Sequence, residues 1–157
     1  MASNRHLGRI IALQTIYEFD FRNDSKDQSI DIDEILERNI ARYKETIEDT
    51  EFVRLLVHGA NDQASSLDEQ LQPVAPEWPL DQIARIDHII LRLGLWELLN
   101  ERDVPPKVVI NEAIELAKAF GSDNSSKFVN GVLGTLLRAE INTSKTVSGK
   151  ADKKVVK

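Results

Sequence analysis

The chain has 157 residues, no cysteine and a formal net charge of −6. That length allows one domain, or two small helical halves sharing a boundary, and lets about 68–70% of the unfolded chain's surface be buried unaided. Without cysteine there is no disulfide scaffold, thiolate metal site or cysteine nucleophile, and no apolar run approaches a membrane span or secretory leader, which points to the cytoplasm.

Ser3 or Asn4 can cap a first helix from about Arg5 to Phe21, whose spacing turns Leu7, Ile10, Ile11, Leu13, Ile16 and Tyr17 inward. The polar run Asn23 to Ser29 ends it. A second helix, about Asp33 to Lys44, presents Ile35, Leu36, Ile40 and Tyr43. Acids are dense from Asp20 to Glu51, so this half would repel a polyanion unless basic groups gather on one face. A third helix, about Thr50 to Leu71, keeps apolar residues three and four apart throughout, from Phe52 to Leu71.

Pro73, Pro76 and Pro79 then interrupt the chain. Proline lacks an N–H and disfavours helix in the preceding residue, which predicts a rigid connector between units at about 4–72 and 79–141. Helices follow at about Leu80 to Asn100, Pro106 to Phe120 and Ser126 to Ile141. No segment alternates with period two over strand length, so the fold class is all-α. Residues 142–157 hold five lysines against one aspartate, a net +4 that leaves −10 on residues 1–141. This basic tail lacks apolar periodicity and is expected to be disordered.

The stretch Val108 to Leu133, VVINEAIELAKAFGSDNSSKFVNGVL, reads as two helices joined by a polar turn. Phe120-Gly121 supplies a stop, and Ser122 to Ser126 supplies turn and N-cap chemistry. Folding alone needs none of Asn111, Glu112, Lys118, Lys127 or Asn130. The wording VxINEAxELAKxFG followed by KFVNGVL resembles the C-terminal signature of the NusB family, the bacterial transcription antitermination factors. A second block, Ile83 to Pro105, carries Leu91-Arg92-Leu93-Gly94-Leu95-Trp96-Glu97-Leu98, similar to the family's central helix. The helix Arg5 to Tyr17 matches more weakly, and the resemblance spans roughly residues 4 to 140.

Three groups of residues are candidate sites. Arg5, His6 and Arg9 lie near a helix start, with Arg5 and Arg9 on one face; they suit phosphate contact or an ordinary solvated helix end. The resemblance favours RNA, although the family often carries adjacent arginines where this chain has Arg5-His6-Leu7-Gly8-Arg9. Lys118, Phe120, Asn124, Lys127 and Phe128 surround the last turn and suit splayed single-stranded bases; Phe128, in register with Val132, equally suits core packing. Asp87, Arg92 and Glu97 lie on a helix apolar around most of its circumference. A structural ion pair competes with a partner contact for Arg92 and Glu97, and the resemblance points Asp87 towards a protein interface.

His6, His58 and His88 lack paired spacing, so no metal site is expected. Glu112, Glu115 and Lys118 form a charged helix face more simply than acid–base machinery, and no nucleophile or phosphate-loop motif occurs. Neither an enzyme nor a cofactor is expected. The resemblance implies an adaptor that binds the boxA element of nascent ribosomal RNA together with NusE, a small-subunit ribosomal protein, within the RNA polymerase antitermination complex. The alternatives are a free-standing RNA-binding module acting in ribosomal RNA processing or modification, and a structural helical protein that forms a homodimer.

Overall fold

The structure is a computed structural model describing residues 2–27 and 29–139; the expected disorder of the basic tail, and the expected reach of the last helix to Ile141, lie outside the described residues. Seven α-helices are present among those residues: α1 (Ala2–Asp24), α2 (Ile32–Arg42), α3 (Thr50–Asp62), α4 (Ala64–Leu71), α5 (Arg85–Asn100), α6 (Pro106–Phe120) and α7 (125–139). None is long and apolar enough to cross a membrane.

Local chemistry sets the boundaries. The Asp31 carboxylate accepts from the Asp33 N–H at 3.0 Å to open α2, and Asp49 accepts from the Phe52 N–H at 3.0 Å to open α3. Pro106 sits in the first turn of α6, where its missing N–H leaves no bond unmade. The expected single helix from Thr50 to Leu71 is broken at Gln63, which leaves α-helical geometry at φ −101° and ψ 16°. Ala60, Leu67 and Leu71 all remain buried across the break, so apolar spacing alone does not reveal a one-residue kink. The connector forms two short 3-10 turns, Gln72–Val74 and Leu80–Gln82, and α5 begins after it at Arg85 rather than at Leu80.

α1 packs against α2, α3 and α5, while α5 packs against α1, α3, α4 and α6. One hydrophobic cluster runs through all of these helices and draws in Ala75 and Leu80 from the connector. The apolar girdle of α5 is explained by this central position, since every residue from Ile89 to Glu97 except Arg92 is buried. Gly94 allows α7 to approach: a Cβ there would lie 2.8 Å from Leu133 Cδ1, inside any real carbon contact. Polar groups in the interior are paired, as where Asn39 Nδ2 donates to Thr15 Oγ1 at 3.0 Å between α2 and α1.

Candidate nucleic-acid interface

The beginning of α1 lies over the ends of α3, α5 and α6. Arg5 and Arg9 do share a face, with their guanidinium groups 4.6 and 5.3 Å from the centre of the Phe52 ring. Their surroundings differ sharply. Arg9 is only 3% exposed, and its Nε and Nη2 donate to the two oxygens of Glu97 at 2.7 and 2.8 Å. A guanidinium so enclosed is an internal link and not an outward phosphate ligand, which corrects the reading of Arg9 as a surface contact. Arg5 is half-buried and lies 3.8 Å from Asp49 and 4.0 Å from Glu101, too loosely to be held. His6 donates from Nδ1 to Glu112 Oε2 at 2.5 Å, and Arg9 Nη1 lies 3.8 Å from the same oxygen. Glu112, unexplained by helix formation alone, therefore ties α6 to the start of α1.

The other end of α6 carries the second group. Along the helix the rise from Glu112 to Phe120 is about 12 Å, so α6 spans from the α1 start to the polar turn. Lys118 is exposed and 3.6 Å from Glu115; Phe120 is exposed at the helix end. In the turn, the buried Ser125 hydroxyl accepts from the Ser122 N–H at 2.9 Å. This holds Asn124 and Lys127 outward, both exposed. Phe128 serves both readings at once. It packs against the core and also lines a groove of about 560 Å³ shared with Trp78, Ile83, Asp87, Asn124 and Lys127. Its ring meets the indole of Trp78 edge-on, with centroids 6.4 Å apart and planes at 72°.

The three partner candidates do not come together. Glu97 is buried against Arg9. Arg92 donates from Nε and Nη2 to Asp68 at 2.9 and 2.7 Å, and His88 Nε2 donates to the same carboxylate at 2.7 Å. Burial would raise the Asp68 pKa, but hydrogen bonds from Arg92 and His88 outweigh it and lower the value to about 2. Nearby Asp20 is pushed up, because burial exceeds the pull of Arg92 and Arg85. For Arg92 and Glu97 the ion-pair alternative is the one realised. Asp87 is separate from both and lies in the Trp78–Phe128 groove.

Sequence reading missed an aromatic patch beside these groups. Tyr17, expected inward, is 36% exposed, because the last turns of α1 run out past the start of α5. It stacks on Phe21 at a centroid distance of 6.4 Å, and Arg85 lies over both rings while pairing with Asp24 at 2.7 Å. Trp78, 58% exposed, was read only as part of a proline-rich connector. The available signal was an aromatic side chain in a segment with no apolar periodicity to absorb it.

The NusB family profile matches residues 6–138. A transcription antitermination protein NusB of Chloroflexus aggregans is 46% identical over 139 residues, covering 87% of this chain and 89% of that protein. Its counterpart in Dehalococcoides mccartyi is 37% identical, covering 92% and 97%. Among solved structures, T. maritima NusB superimposes with a TM-score of 0.75 at 33% identity, covering 85% of this chain and 90% of that one. A complex of antitermination factors NusB and NusE with double-stranded RNA gives a TM-score of 0.75 at 23% identity, over 88% and 99%, a likeness of fold. With the α1–α6 link and the α6–α7 turn formed by the same residues that carry the signature, the chain belongs to the NusB family.

Proposed function

We propose that this chain is a non-enzymatic transcription antitermination factor that holds single-stranded boxA RNA on one face and a NusE-like ribosomal protein on the next. The observation that carries the RNA reading is the grouping, along α6, of outward Lys118, Asn124 and Lys127 beside a groove walled by Phe128, with Arg5 and His6 at the other end. Cations along a path with aromatic faces beside them suit a flexible strand whose bases unstack, and suit a duplex poorly. Arg9 serves this surface from below, by fixing α1 through Glu97.

The protein partner fits the adjoining patch of Tyr17, Phe21 and Arg85, where exposed rings and a cation adjoin without a covering element. Asp87 lies between the patch and the groove, so a partner seated there would border the RNA. Each ligand then stabilises the other's binding by the same factor. Fluorescence anisotropy of labelled boxA RNA against a scrambled control, with and without NusE at two salt concentrations, tests this. Selective binding that NusE tightens is expected; binding that is unselective and indifferent to NusE would leave only a free-standing RNA-binding module.

A further inference from the structure

We infer that the groove between Trp78 and Phe128 is a pocket for a single unstacked guanine, read by the carboxylate of Asp87. The inference rests on the RNA-binding reading and adds to it a base identity and two residues which that reading does not assign to RNA.

Asp87 stands in the first turn of α5, is 8% exposed, and its Oδ1 has no hydrogen-bond partner. Among the described residues no lysine, arginine or histidine pairs with it: Arg85 is taken by Asp24, and His88 and Arg92 by Asp68. An ionised carboxylate can only accept, and a buried acceptor left unmet is costly, so the site is short of donors. The open side of this carboxylate is the groove.

The walls say what kind of donor fits. Trp78 and Phe128 meet at 72°, forming an aromatic corner, and the exposed indole face offers a planar group a surface on which to stack. Asn124 and Lys127 stand at the rim. A cationic side chain from a protein would meet repulsion from Lys127 on its way in, whereas a nucleotide brings a phosphate to that lysine and a flat ring to the corner. Among the bases, guanine alone presents two adjacent N–H donors on one edge, N1–H and the N2 amino group, matching the two oxygens of a carboxylate. Adenine and cytosine each place a single amino group beside an acceptor, which would face a carboxylate oxygen and be repelled. Uracil places one N–H between two carbonyls.

The test uses the full chain and short oligouridines carrying one central guanine, inosine or adenine, with binding followed by fluorescence anisotropy. Inosine keeps N1–H and lacks the N2 amino group. The wild type should prefer guanine to adenine by about tenfold, the usual worth of a two-bond base contact, with inosine between them. Asp87→Asn, which keeps the shape and replaces one acceptor by a donor, should erase the preference while leaving affinity for plain oligouridine unchanged. Trp78→Ala, at an exposed position that the core does not need, should weaken all three substituted strands alike. Equal affinity for guanine and adenine in a wild type that still binds RNA would overturn the pocket and leave the RNA-binding reading intact. Failure to bind any of these strands or boxA RNA would overturn both. Loss of NusE binding in Asp87→Asn or Trp78→Ala, with RNA affinity unchanged, would assign the groove to a protein side chain and overturn the guanine reading.

Discussion

Arg9 and Glu97, 88 residues apart in sequence, face each other inside the core through a two-bond contact at 2.7 and 2.8 Å. Two buried charges in that geometry offset each other's desolvation, and removing either leaves the other stranded. Arg9→Ala is expected to destabilise the fold by about 3–5 kcal/mol, read from urea denaturation. Replacing both residues with apolar side chains should cost much less than the sum of the single changes. Additive losses would show that the pair is not coupled.

Acid sensitivity should come from Asp68. Its carboxyl titrates at about 2 against an ordinary 3.8, because Arg92 and His88 hold the charged form more strongly than burial opposes it. A depressed folded pKa gives stability that is present above the unfolded value, near 4, and is lost as the pH falls towards 2. This amounts to about 2 kcal/mol. Asp68→Asn should lower stability at pH 7 and flatten its decline between about pH 4 and 2. An unchanged acid limb in thermal melts would assign that decline to other carboxylates.

Arg5 and Lys127 should report directly on RNA. Each replaced by alanine is expected to weaken boxA binding and to reduce the log–log salt slope by about 0.7, as for one phosphate contact on a single strand. A destabilised Arg9 variant, assayed where it remains folded, should keep the wild-type slope. A slope that falls with Arg9 and not with Arg5 would mean that α1 opens on binding.

Gly59 lies under the ring of Trp96, and a Cβ there would sit 2.1 Å from indole atoms. Trp96 is buried and rigid, so Gly59→Ala must displace either the ring or α3, at about 1–3 kcal/mol. Near-ultraviolet circular dichroism should change with the melting temperature, because the indole itself moves. A stability loss with an unaltered aromatic spectrum would locate the strain in the helix backbone.

Helix identity was legible because each apolar stripe keeps one period from end to end; α6 begins at Pro106 and ends at Phe120, as the proline and glycine signals require. The break at Gln63 was not legible, since both sides of the kink bury the same face. At the candidate site, the clustering of Lys118, Asn124 and Lys127 could be read from one contiguous signature. The fate of Arg9 could not: its sequence neighbours look like any helix start, and its partner comes from α5. Trp78 and Phe128 were hidden for the same reason, because nothing local joins the connector to the last turn.

The Arg9–Glu97 contact also sets an order of events during synthesis. When α1 leaves the ribosome its arginine has no counterion, and none arrives until most of α5 has followed. A nascent N-terminal half ending at the proline connector would carry that charge unmatched, beside a Phe52 ring awaiting burial. The nucleic-acid face would thus mature only after translation has passed the middle of the message, keeping incomplete chains from competing for the transcript.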